Sequence, residues 1–160
     1  MAPRITRADQ KLLATWAAAC AEHALPCFEQ LFPNDERPRL AIEACRAWVK
    51  TGEFRMAVIR GASLAAHAAA REAPEGSAAR LAARAAGQAV ATAHAPTHAI
   101  GAAWYGIKAT DVAGLAGERA WQYRRLPKKL RPLIARLAKE RPVLGRVLQY
   151  PSPRRASLTR

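Results

Sequence analysis

Apolar residues recur along this chain at the three-to-four-residue spacing of helices, and Pro, Gly and Asn/Asp turns interrupt the pattern every 10 to 20 residues. Thr6 followed by Asp9 predicts an N-cap with an acidic capping box. The helix it opens carries Leu12, Leu13 and Trp16 to about Ala24. Pro26 kinks or restarts it, leading through Phe28 to Phe32. Pro33-Asn34-Asp35 reads as a turn, with Asp35 capping a helix that presents Leu40, Ile42, Ala47 and Trp48 and ends at Gly52. A further helix covers 54–73, with Met56, Ile59, Ser63, His67 and Ala70 roughly on one face. Pro74-Glu75-Gly76 turns the chain, Ser77 caps, and a helix spans 78–94. After Pro96 the pattern gives a helix from 97 to about 109, a loop over 110–117, a short helix over 117–126 and a basic helix from Pro127. Residues after Tyr150 have the composition of a disordered segment. The expectation is an all-α, single-domain antiparallel bundle or array of six to seven helices. It divides into an alanine-rich body (1–126), a basic amphipathic helix (127–150) and a disordered tail (151–160).

Composition sharpens this. About a quarter of the 160 residues are alanine, and β-branched and aromatic residues are scarce, which excludes a substantial sheet. Small side chains, with Gly87, Gly101 and Gly106 inside helical stretches, predict close approach of helix backbones. Cys20, Cys27 and Cys45 have no metal-type spacing and are odd in number, so they read as buried free thiols of a reducing cytosol. The N-terminus lacks a signal-peptide core, and the uncharged stretch 85–107 is too rich in Ala, Gly and His to be a membrane helix. The chain is expected to be soluble and cytoplasmic.

The net charge of +14 is uneven: 12 of the 26 basic side chains lie in residues 121–160, against Glu140 alone. In the segment from Lys128 to Leu148, Leu130, Leu133, Ile134 and Leu137 fall at helical spacing. Arg124, Arg125, Lys128, Lys129, Arg131, Arg136, Lys139 and Arg141 crowd the remaining face and its approach. Such a helix suits an anionic partner, be it nucleic acid, lipid or an acidic protein. An uncovered apolar face would also make a homodimer. Arg154 to Leu158 matches a basophilic kinase site, a coincidence in a chain of this character.

Candidate chemistry centres on His23, His67, His94 and His98. Pro96 separates His94 from His98, so the pair brackets a helix–helix corner. Metal ligation by His67, His94 and His98, with His23 as a further donor, is one reading. An anion or small-molecule pocket is a second, and hydrogen-bonded core histidines a third. Glu22 beside His23 could serve acid–base work, although sequence neighbours point about 100° apart on a helix. Arg37 and Arg39 at a helix start, and Arg71 one turn after His67, could meet an anion. Trp104 and Lys108 share a face, with Tyr105 beside them, giving a stacking platform or aromatic packing with a snorkelling lysine. No phosphate loop, nucleophile elbow or Ser-x-x-Lys motif is present, so no cofactor is expected and an enzyme is the weaker reading.

In combination, CAEHALPCFE, RPRLAIEACRAWVKTGEF, AAHAAAREA and AARAAGQAVATAH..THAIGAAWYGIKA resemble the Imm-five-like immunity proteins of bacterial polymorphic toxin systems, over roughly residues 10–126. The resemblance implies an all-helical cytoplasmic domain that neutralises a cognate toxin by binding it. It maps the family pattern onto Glu22, His23, Pro26, Arg37, Arg39, Arg46, Trp48, His67, Arg71, His94, His98, Tyr105 and Lys108. Pro96-Thr97 departs from a stretch that is often acidic in the group, and the basic extension after Leu126 lies beyond the resemblance. Binding to a toxin is therefore the favoured function. A ligand- or metal-binding protein built on the His/Arg cluster, and a nucleic-acid-associated protein acting through residues 124–146, are the rivals.

Overall fold

The computed structural model describes residues 4–148 and 150, and all regular structure among them is helical. The tail 151–160, with the kinase-like sequence, lies outside the described residues. The main helices are α1 (Arg7–Ala24), the single turn α2 (Pro26–Glu29), α3 (Arg37–Thr51), α4 (Met56–Glu72), α5 (Ala78–Ala91), α6 (His98–Val112) and α7 (Glu118–Arg125). A 3-10 turn (Lys128–Leu130) then leads into α8 (Arg131–Glu140) and α9 (Pro142–Val147).

Local chemistry accounts for most boundaries. Thr6 accepts from the Asp9 amide while Asp9 accepts from the Thr6 amide, so the predicted capping box opens α1. Ser77 Oγ caps α5 by accepting from the Arg80 amide. Gly52 stops α3 in the left-handed region, at φ 70°, where a Cβ would be strained. Asp35 acts one residue earlier than a regular N-cap: its carboxylate accepts from the Arg37 amide, while the cap position itself is Glu36. The predicted loop over 110–117 is shorter than expected, because α6 continues to Val112. The single basic helix expected from Pro127 is two helices. Pro142 disfavours helical backbone at the residue before it, and Arg141 (φ −129°, ψ 84°) breaks the run there.

α5 is the hub, packing against α1, α2, α3, α4 and α6. Its inward residues are Ala79, Ala82, Ala83, Ala85, Ala86, Gly87, Ala89 and Val90, all buried. The larger buried apolar groups come from the helices around α5: Leu13, Trp16 and Leu25 with α1 and its end, Phe28 from α2, Ile42 and Trp48 from α3, Ile100 and Ile107 from α6. Gln10 from α1 donates to the carbonyls of Thr92 and Ala93, satisfying acceptors left unpaired where α5 ends. Leu130, Ile134 and Leu148 join the same core, and Leu133, Leu137 and Leu144 pack against it. The apolar face of the C-terminal segment, which suggested a dimer, is thus covered by the chain's own body. No helix among the described residues is long and apolar enough to cross a membrane.

Of the three glycines expected at close backbone contacts, Gly106 makes one, while Gly87 and Gly101 face side chains instead. A Cβ on Gly87 would lie 2.7 Å from His67 Nε2, and one on Gly101 would lie 2.8 Å from Gln88 Oε1. At Gly106 it would meet Gln122 Nε2 at 3.2 Å as well as the Cys20 carbonyl at 3.4 Å. The missing methyls make sockets for polar side chains. Gly61 in α4 has open space around it. Gly61→Ala is therefore expected to stabilise by up to about 1 kcal/mol through helix propensity alone. Gly87→Ala is expected to destabilise despite the same propensity gain, and His67→Ala in that background should recover part of the loss. Thermal or denaturant unfolding of the three variants checks the signs.

Candidate functional site

Two polar assemblies hold the four histidines that the sequence singles out. The first joins α7 to α1 and α6. Glu118, Gln122 and Leu126 recur every four residues and are all buried. Gln122 donates through Nε2 to the Ala103 carbonyl (3.1 Å) and to Glu118 Oε1 (3.1 Å), and its Oε1 accepts from the Tyr150 hydroxyl (2.9 Å). Its backbone carbonyl accepts from Trp16 Nε1 (3.0 Å). Glu118 Oε2 meets His23 Nδ1 at 2.5 Å; the carboxylate side chain is 3% exposed and the imidazole 43%. The His23 ring lies parallel to Trp121, with centroids 3.7 Å apart, and the Arg125 guanidinium sits 3.9 Å from the centre of the same indole. Two groups so close to one ring occupy opposite faces, giving the layers Arg125, Trp121 and His23. A buried carboxylate on Nδ1 fixes the orientation of the imidazole, while Nε2 has no partner among the described residues. That is the arrangement of a positioned proton carrier, and equally of a rigid surface ring.

The second assembly lies on α4, α5 and the start of α6. His67 rests on Gly87, and its Nδ1 is buried without a hydrogen-bond partner. Ser63, one turn earlier on α4, donates to the Gly87 carbonyl (3.0 Å). Gln88 fills the Gly101 socket and meets His98 Nδ1 through Oε1 at 2.8 Å. His94 and His98 bracket the α5–α6 corner as the sequence suggests. Both line a groove of about 310 Å³ with Met56, Ile59, Arg60 and Ser63. Burial holds His67 below the usual imidazole range, reinforced by Arg84, Arg71 and His98. His98 is lowered in the same way by burial, then by His94 and Arg141.

The remaining candidates are dispersed. Glu22 pairs with Arg46 rather than with His23. Arg37 holds Asp35 and Glu72, tying the start of α3 to the end of α4, and Arg39 holds Glu29. Trp104 carries Lys108 over its ring at 5.7 Å and Tyr105 at its edge, and its Nε1 is buried without a partner. No group of three or more His, Cys, Asp or Glu residues among those described could hold a metal ion, so His67, His94 and His98 are not gathered as a three-ligand set. The cysteines are free; burial raises Cys20, Cys27 and Cys45, the last to about 12, which suppresses thiolate. In the basic segment, Arg125 stacks on Trp121, Lys129 pairs with Asp9, and Arg131 covers Tyr123 and donates to its carbonyl. Arg124, Lys128, Arg136, Lys139 and Arg141 have no hydrogen-bond or ion-pair partner among the described residues.

Sequence reasoning missed Glu118, Trp121, Gln122 and Tyr150. The available signal was the four-residue recurrence of Glu118, Gln122 and Leu126, hidden in a segment that reads as merely basic.

Two outcomes follow. Replacing Gln122 with Ala removes the partner of several buried groups at once and is expected to cost about 3 kcal/mol, measured by denaturant unfolding. The imidazoles of His67 and His98 titrate near 6.5 when unfolded and lower when folded, so the unfolded chain binds more protons between those values. Stability is therefore expected to fall as pH drops from 7.5 to 5.5, and the fall to shrink in the His67→Gln/His98→Gln double variant. Asp9 (about 2, chiefly through Lys129), with Asp35 and Glu72 lowered by Arg37, stays charged throughout this window. Tm against pH for both proteins is the measurement.

No curated protein and no solved structure matches the chain. The sequence model of the family described as "Imm-5 like putative immunity protein" matches residues 4–129, which takes in α1 to α7 and both polar assemblies except Tyr150. The chain belongs to the Imm-5 like immunity protein family.

Proposed function

We propose that this protein binds a cognate bacterial toxin in the cytoplasm and neutralises it by occlusion, with no chemistry of its own. The family match across the whole helical body carries this reading. The architecture supports it. The polar side chains are tied to neighbouring helices rather than converging on one reacting centre: His23 on Glu118, His98 on Gln88, Glu22 on Arg46, Arg37 on Asp35 and Glu72. Such cross-ties order surface side chains before a partner arrives, which lowers the entropy cost of association. The same surface exposes Phe54, Met56, Val58 and Leu64 along α4 and its approach, side chains that a helix of this bundle has no internal reason to present.

Co-expression with toxin domains drawn from the gene's neighbourhood tests the reading. Protection of growth, together with a complex of defined stoichiometry on size-exclusion chromatography, is expected. A folded, abundant protein that neither protects nor binds would overturn it.

A further inference from the structure

We propose that the face made by α4, α5 and the start of α6 is the toxin-binding surface, and that it takes an acidic segment of the partner carrying an apolar side chain. This rests on the toxin-binding reading for the partner's identity, and on the geometry of the face for its chemistry.

The groove at the α4–α5–α6 corner has an apolar lining, in which Met56, Ile59, Leu64 and Ala91 take part, and a polar rim of Arg60, Ser63, His94 and His98. Its volume of about 310 Å³ admits a side chain of a partner, not a whole element. Beyond it the face continues as a cationic strip. Ser63 and His67 both meet Gly87, and Arg80 donates to the carbonyls of Arg71 and Ala73. These contacts set α4 and α5 antiparallel, in a register that puts Arg84 level with His67 and Arg71 one turn further on. The guanidinium groups of Arg60, Arg71 and Arg84 have no hydrogen-bond or ion-pair partner among the described residues. Elsewhere on the body Arg37, Arg39, Arg46 and Arg119 each hold a carboxylate. Even Glu72, next to Arg71 in the chain, is held by Arg37.

The charges that act on His67 and His98 are likewise cationic: Arg71, Arg84, His94 and Arg141. Like charges gathered at a half-buried surface raise the energy of the free protein, and carboxylates from a partner lower it. A nucleic-acid backbone would satisfy the cations but offers no apolar knob for the groove. An acidic protein segment offers both, and arginines around an apolar pocket are a recurrent centre of interface energy.

Titration of the full-length labelled protein with a capped pentapeptide of order Glu, Glu, Leu, Glu, Glu, followed by NMR, tests the inference. The Lys counterpart, inorganic phosphate and a short DNA duplex serve as comparisons. Shifts at His94, His98 and the Arg60 side chain are expected with the acidic peptide alone, and Arg60→Glu or Arg84→Glu should each weaken it roughly tenfold. Arg60 is exposed and Arg84 half-buried, and unchanged circular dichroism confirms that the variants fold. Shifts confined to residues 128–141, equal response to phosphate or duplex, or unchanged affinity in both variants would overturn it. In the growth assay, protection by the wild type that both variants retain in full removes the groove and leaves the toxin reading standing. Lack of wild-type protection removes the toxin reading, and the peptide titration then decides the groove by itself.

Discussion

The structure depends on how little side chain α5 carries. A helix whose inward positions are Ala, Gly and one Val can be approached by five neighbours at once, and α5 is. Close approach leaves little room for bulky residues on α5 itself, so large buried apolar groups such as Phe28, Trp48 and Ile107 come from the helices around it. It also leaves no space for a polar side chain unless a Cβ is missing opposite it. Gly87, Gly101 and Gly106 provide those spaces for His67, Gln88 and Gln122. The positions of the polar residues are thus set by vacancies in the facing helix, and their hydrogen bonds follow. Gln122 fills its socket and satisfies its amide; His67 fills its socket and leaves Nδ1 without a partner. The second case shows that shape, not bonding, places the ring, at a cost that the surrounding packing offsets.

The same logic docks α7. A short, strongly basic helix has little reason to form or stay by propensity alone. Here Glu118 and Gln122 enter the body as a pair: Glu118 is held by His23 of α1 and by Gln122, and Gln122 by groups from α1, α6 and Tyr150. Burying an uncompensated carboxylate would be costly, and His23 with Gln122 removes that cost. In return the contact fixes His23 and stacks it on Trp121 beneath Arg125, so a surface ring system becomes rigid. Packing requirements inside the protein therefore dictate the order of its surface, which is the link from fold to binding.

Legibility in the sequence followed the range of each interaction. Thr6–Asp9, Ser77 and Gly52 act within four residues, and their effects match the pattern-based expectation. The corner formed by His94, Pro96 and His98 is also local. Arg37 and Arg39 could be placed at a helix start, but their partners Glu72 and Glu29 lie across the fold and are set by how α3 meets its neighbours. Glu118 and Gln122 were invisible as core residues because Gln122 sits in the Gly106 socket, 16 positions away in the chain, and Glu118 on His23 of α1. Histidine content alone suggested ligation, but His67 projects from mid-α4 while His94 belongs to a turn, and no three ligands meet among the described residues.

The distribution of carboxylates gives the charge its meaning. Seven acidic side chains bridge or cap within the body: Asp9, Glu22, Glu29, Asp35, Glu72, Asp111 and Glu118. They tie α1 to α3, α3 to α4, α6 to α7, and the N-terminus to the basic segment. These ties neutralise Arg37, Arg39, Arg46, Arg119 and Lys129, with Arg37 shared by two carboxylates. The cations of the α4–α5–α6 face lie where glycine sockets and alanine packing already hold the helices, so no internal carboxylate is needed there. Left unneutralised beside an apolar groove, they form a part of the surface whose electrostatic energy a partner can still change. A net charge that looks like a property of the C-terminal quarter in the sequence thus has, in the folded chain, a second and structurally distinct focus on the body.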